Sequence, residues 1–260
     1  MNILEEIILN KRKEVALLKE QRSYRDLEKS RLFSRGTFSL SDFITDLARS
    51  GIIAEFKRKS PSGGLLYSLN DVEFVTKGYS GAGASGLSIL TDYRFFGGSC
   101  ADILKARDHN HIPVLRKEFI IDEIQVLESK AAGADAILLI AAVLDKAQIL
   151  KLASLSRSLN MEVLLEIHSV AELENVNEHV NIIGVNNRDL GTLTTSVSLS
   201  YSLADKIPEE FTKISESGIS DPQTVIDLKH AGYNGFLIGE YFLSKSDPVI
   251  AFSDFVEMIK

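Results

Sequence analysis

From Ile52 onward, short runs of β-branched and aliphatic residues alternate with longer stretches whose apolar positions recur at helical spacing. The apolar runs predict strands at Ile52–Phe56, Gly86–Leu90, Pro113–Arg116, Ala136–Ile140, Val163–Glu166, Ile182–Val185, Thr212–Ser215 and Gly235–Ile238. A helix-like segment follows each run, which predicts a closed parallel sheet, an α/β fold of the (β/α)8 TIM-barrel type. Residues 1 to about 48 read as an N-terminal helical extension, with Ile3, Ile7, Ile8, Val15 and Leu18 at helix spacing and Lys and Glu between them. That apolar stripe needs a partner, which places the first helix over the barrel mouth. With no linker or low-complexity tract, residues 1–260 read as one barrel domain.

Three segments share one design: Gly83-Ala84-Ser85-Gly86-Leu87, Gly133-Ala134-Asp135-Ala136-Ile137 and Gly232-Tyr233-Asn234-Gly235-Phe236. In each, glycine ends a helix in a left-handed cap, a short turn follows and a buried strand begins. They mark the second, fourth and eighth strands and so fix the register of the count.

The odd strands end differently from the even ones. Their apolar runs close on Ala54-Glu55-Phe56-Lys57, Leu115-Arg116-Lys117, Leu165-Glu166 and Ser215-Glu216-Ser217. Side chains of alternate strands share a layer in a barrel, and chemistry sits at the C-terminal face. Glu55, Lys117, Glu166 and Glu216 should therefore meet at one level of the mouth, with Lys57 one pleat higher and Asn186 of the sixth strand beside them. Mixed carboxylates and ammonium groups there shift one another's pKa values, which is how general acids and bases are tuned. Lys57 and partial burial are expected to lower the pKa of Lys117, against the pull of Glu55 and Glu216.

Glycine turns follow the last two strands, at Ser217-Gly218-Ile219 and Ile238-Gly239-Glu240, where many barrels bind phosphate on backbone N–H groups. The segment from Lys57 to Gly64 adds cations and hydroxyls, among them Ser60. Glu240 is taken to point away from this site.

Composition narrows the partners. Hydrophobic residues make up 45% of the chain, as in ordinary globular proteins, and the formal charge of −7 argues against nucleic acid. No apolar run reaches the ~20 residues of a membrane span, and the charged, amphipathic N-terminus does not read as a signal peptide. The single cysteine, Cys100, excludes an internal disulfide and suits a reducing cytoplasm. His109, His111, His168, His179 and His230 have no metal-ligand spacing, and no GxGxxG follows a strand, so neither a metal nor an organic cofactor is expected. The expected partner is a small phosphorylated substrate, bound by a monomer or weak homo-oligomer.

The motifs together resemble the indole-3-glycerol phosphate synthase family. The resemblance is carried by Ile53-Ala54-Glu55-Phe56-Lys57-Arg58-Lys59-Ser60-Pro61-Ser62, Leu90-Thr91-Asp92 with Phe95-Phe96-Gly97-Gly98-Ser99, and Pro113-Val114-Leu115-Arg116-Lys117-Glu118-Phe119. Gly133 to Ile140, Glu166 with His168, Ile183 to Leu190 and Ser215 to Ile219 complete it. Gly63 departs from the basic residue many members carry, and Glu118 from the usual Asp. The resemblance implies ring closure of 1-(2-carboxyphenylamino)-1-deoxyribulose 5-phosphate with loss of carbon dioxide and water, in tryptophan biosynthesis. It further implies Lys117 as general acid and Glu166 as general base, with Glu55, Glu216 and Asn186 orienting lysines and substrate oxygens, and Ser217 among the catalytic set. Lys57 is either electrostatic support or the acid for dehydration. Phe96, Phe119 and Leu190 are candidates for an aromatic-ring slot, and Arg188 for the departing carboxylate or for a neighbouring acid. The alternatives are another phosphate-binding barrel of the same pathway, such as phosphoribosylanthranilate isomerase, and a non-catalytic barrel that binds a phosphorylated ligand.

Overall fold

The computed structural model describes residues 2–61, 64–65, 71–189 and 191–260. Eight parallel strands close into a barrel: β1 (Ile52–Phe56), β2 (Gly86–Leu90), β3 (Val114–Lys117), β4 (Ala136–Ile140), β5 (Glu162–Ile167), β6 (Ile182–Asn186), β7 (Thr212–Glu216) and β8 (Gly235–Ile238). The ring closes where Ile52, Ile53 and Ala54 of β1 pair with Phe236, Leu237 and Ile238 of β8. Several strands run one residue further than the apolar pattern predicts, because Lys117, Asn186 and Glu216 lie on the ladder itself. The helix expected after the fifth strand is a five-residue 3₁₀ turn, Ala171–Asn175. A small antiparallel pair, Lys59–Ser60 with Gly64–Leu65, follows β1 and was not expected from the sequence.

The glycine caps hold. Gly133 sits at φ 91° after the helix Glu123–Ala132, a conformation that a β-carbon would strain, and it turns the chain into β4. Outside the ring, the strands pack on the helices through a core that includes Phe56, Tyr79, Phe236, Phe242 and Phe252. Inside it, Ile53, Leu115, Leu138, Leu164, Ile182, Ile214 and Leu237 fill the lumen.

The N-terminal extension forms three helices, α1 (Ile3–Gln21), α2 (Tyr24–Glu28) and α3 (Leu40–Thr45), and it serves both ends of the barrel. Helix α1 starts in a capping box between Asn2 and Glu5, and its Ile3, Leu4 and Ile7 lie over the mouth. Helix α3 plugs the opposite end, where the fully buried Leu40 and Ile44 join the lumen residues. Space for them comes from glycine: a β-carbon on Gly86 would lie 2.6 Å from Leu40, and one on Gly235 2.7 Å from Ile44. Each plugging side chain is worth about 1.5–3 kcal/mol of burial. Glu162, at the bottom of β5, locks α3 by accepting from the Ser39 hydroxyl and the Ser41 amide, both at 2.9 Å.

Candidate active site

The C-terminal mouth encloses a cavity of about 540 Å³. Of the residues expected at the site from the sequence, Glu55, Lys57, Ser60, Phe96, Lys117, Phe119, Glu166, Asn186, Arg188, Glu216, Ser217, Gly218 and Gly239 all line it. Leu190 lies outside the described residues, as do Ser62 and Gly63.

The cavity floor is ionic. Lys117 projects from β3 across the lumen, where its Nζ is 2.9 Å from Oε2 of Glu166 and also donates to Oε2 of Glu216. Lys57 Nζ donates to Glu55 Oε1 at 2.6 Å. Three of the four carboxylate and ammonium groups on the odd strands are almost fully buried, with side-chain exposures of 3% for Glu166, 1% for Glu216 and 7% for Glu55, and Lys117 at 13%. Gly184 of β6 makes the room: a β-carbon there would collide with Glu216 Oε1, an oxygen that has no hydrogen-bond partner among the described residues.

Burial and charge set the protonation states. Burial opposes the Lys117 ammonium, but Glu166, Glu216 and Glu55 outweigh it and raise its pKa above the ordinary lysine value. The expected lowering is thus overturned, because both carboxylates touch Lys117 while Lys57 is engaged by Glu55. Burial likewise opposes ionisation of Glu166, yet Lys117, His168 and a hydrogen bond from Asn186 hold its pKa below the usual glutamate value. Glu216 goes the other way: burial, with Glu166 and Glu55 nearby, pushes it up to about 7 in spite of Lys117. At neutral pH the centre therefore holds a charged lysine, an ionised Glu166 and a Glu216 poised between states.

The walls are chemically divided. Phe96 and Phe119 face each other with ring centroids 6.2 Å apart, and Leu90, Leu138 and Ile140 continue the apolar side. Opposite them, Ser217 (φ 67°) and Gly218 (φ 73°) are consecutive left-handed residues after β7. Asn187 holds that turn, donating to the Ser217 carbonyl at 3.1 Å and to the Ser215 hydroxyl at 3.0 Å. The backbone at Gly239 approaches Glu55 so closely that a β-carbon would lie 2.7 Å from it. Two expectations are corrected. Glu240 does not point away: it lines the cavity and its Oε2 is 3.1 Å from Arg188. From the segment after β1, Lys57, Ser60 and Pro61 face the cavity, whereas Arg58 forks onto Asp102 at 2.6 and 2.7 Å and Lys59 donates to the Arg94 carbonyl.

Sequence reasoning missed how α1 is fastened. Lys11, only 3% exposed, lies 2.9 Å from both Asp92 and Glu118 and 2.5 Å from Glu14. Glu118 also accepts from Thr91 at 2.7 Å. The signal was present: Lys11 stands four residues from Ile7 and from Val15, on the buried stripe, where an ammonium requires a carboxylate partner. Among the described residues no three His, Cys, Asp or Glu side chains are grouped to hold a metal ion. Nor is any described helix long and apolar enough to cross a membrane.

A closed (β/α)8 barrel with a lysine clasped between buried glutamates at its C-terminal mouth defines a barrel enzyme. The same fold is seen in a chain of the tryptophan synthase complex of Pyrococcus furiosus (TM-score 0.58, 15% identity, 80% of this chain and 96% of that one). It is seen also in the native KDPGal structure (TM-score 0.56, 14% identity, 80% and 91% covered). A family model described as indole-3-glycerol phosphate synthase matches residues 4–254. Proteins named indole-3-glycerol phosphate synthase from Bacteroides thetaiotaomicron and Laribacter hongkongensis are 46% and 40% identical to it, covering 100% and 95% of this chain and 99% and 96% of theirs. The chain belongs to the indole-3-glycerol phosphate synthase family, a family of carboxy-lyases in tryptophan biosynthesis. The comparisons support that reading of the sequence, and neither the isomerase nor the non-catalytic barrel.

Proposed function

We propose that this chain closes the indole ring of 1-(2-carboxyphenylamino)-1-deoxyribulose 5-phosphate, releasing carbon dioxide and water, with Lys117 as general acid and Glu166 as general base. The observation that carries these roles is the contact of one charged lysine with two carboxylates of opposite pKa shift. Pairs of titratable groups pushed apart by their surroundings divide acid from base work.

The aromatic ring lies against the Phe96–Phe119 pair on the apolar side of the cavity. The phosphate sits at the turns of Ser217-Gly218 and Gly239, and Ser60 closes over it. Arg188 exchanges Glu240 for the substrate carboxylate. Lys117 then protonates the carbonyl oxygen as an aromatic carbon attacks, and the substrate oxygen takes the place of one carboxylate contact, which frees a proton that the apo site holds tightly. Carbon dioxide leaves with restoration of the aromatic ring. In the dehydration, Glu166 removes a proton from the methylene carbon beside the nitrogen while the hydroxyl takes a second proton from Lys117, recharged after ring closure, and leaves as water. Asn186 and Glu216 hold substrate oxygens, and the Glu55–Lys57 pair supports the charge at the mouth.

The enzyme works in the cytoplasm as a monomer or weak homo-oligomer. Fluorescence of the product gives the direct test: the purified chain should generate indole-3-glycerol phosphate from the anthranilate-derived substrate, and absence of that signal would refute the reading.

A further inference from the structure

Proton balance sets a demand that the mouth does not meet alone. On the reaction proposed above, the substrate carboxylate leaves as neutral carbon dioxide, so each turnover consumes one proton. The carbonyl oxygen takes up two protons on its way to water, and the methylene carbon returns one to Glu166. That one can pass from Glu166 to Lys117 across 2.9 Å. The second has to come from solvent, while the bound substrate fills the mouth and α1 covers it.

Behind Glu166 stands His168. Its Nε2 is 3.6 Å from Glu166 Oε1 and its Nδ1 is 3.7 Å from Glu172 Oε2, with only 13% of the side chain exposed. Among the described residues neither ring nitrogen has a hydrogen-bond partner at these separations, although both are buried. The His168 amide donates to Glu172 Oε2 at 2.7 Å, which fixes the turn that carries the ring. His168 does not line the mouth. It lines a second, open cavity of about 690 Å³ with Asn187, Arg188, Asp189, Ser196 and Ser202. The imidazole thus separates a water-accessible cleft from the catalytic carboxylate.

We propose that His168 is a relay and positioning residue that carries the consumed proton from this cleft to Glu166. The imidazolium gives its Nε2 proton to Glu166 Oε1, Glu166 hands a proton to Lys117 to restore the ammonium, and the neutral ring turns its bare Nε2 to the cleft, takes a proton there from water and turns back; no electrons change hands. The 3.6 Å gap closes to hydrogen-bond distance in the transfer, as apo contacts of acid–base groups commonly do. Burial opposes the charged ring, but Glu172, Glu166 and Glu216 outweigh it, and Asp189 faces it across the cleft, so the pKa of His168 is raised above the ordinary histidine value.

The test compares the full-length protein with His168→Gln and His168→Ala, following product fluorescence against pH in light and heavy water. Turnover should fall roughly tenfold with KM within about twofold, the solvent isotope effect on kcat should grow, and added imidazole should restore turnover to His168→Ala through the open cleft. The alkaline decline of kcat that His168 imposes should vanish in His168→Gln. Unchanged turnover and isotope effect in the variants would overturn the relay. So would a loss that imidazole does not restore and that leaves the isotope effect unchanged, which marks a packing role. A wild-type protein that forms no product would instead overturn the proposed function itself.

Discussion

Lys11 of the first helix lies 2.9 Å from Glu118, the residue just after Lys117, which ends the third strand. The contact ties the cover of the site to the backbone that carries the proposed acid. Asp92, at the same distance, caps the short helix Tyr93–Phe96 and so ties the cover to Phe96.

Lys11→Met should therefore loosen α1 while the barrel stays folded. Removing one partner from a buried ionic cluster costs about 3–5 kcal/mol, and release of 1.4 kcal/mol at the cover is enough for a roughly tenfold rise in KM. Amide exchange in α1 should quicken over the same substitution. Unchanged KM and exchange would show that the helix is held by its apolar face alone.

The fold was largely legible because buried strands and helical stripes leave periodic marks. Less legible were the strand ends. The apolar pattern stops at Arg116, Val185 and Ser215, yet the ladder continues through Lys117, Asn186 and Glu216, since polar side chains that point into the lumen still sit on paired backbone. The site residues were readable for the complementary reason, as charges in phase on alternate strands. What stayed hidden depends on distant partners: Arg58 turning to Asp102, Glu240 meeting Arg188, and the lysine–carboxylate contacts that reverse the expected shift at Lys117. The two-residue strands after β1 are too short to leave a periodic mark.

Glu216 gives the stability of the protein a pH dependence with a definite sign. Its folded-state pKa, about 7, lies above the ordinary 4.5, so the folded form binds the proton more tightly than the unfolded chain. Its stabilising contribution is complete below 4.5 and is lost as pH climbs through about 7. Glu216→Gln lacks that loss, so its melting temperature relative to wild type should rise between about pH 5 and about pH 8. A difference that stays flat across this range would contradict the shift.

The phosphate turn is open to a steric test. Gly218 has φ 73°, and a β-carbon there would collide with Thr195. Gly218→Ala should raise KM several-fold and leave kcat within about twofold, because phosphate binding is similar in ground and transition states. Gly239 serves this purpose less well, since a β-carbon there would also displace Glu55. A fall in kcat at constant KM in Gly218→Ala would place the phosphate elsewhere.

The central claim is that Lys117 supplies the proton for ring closure, and the steady-state kinetics of Lys117→Met test it most directly. Methionine keeps much of the volume and removes the donor. Turnover should fall roughly 10²-fold or more with KM little changed, because the lost interaction acts in the transition state. Near-normal turnover would contradict the assignment and give the proton to Lys57 or to water.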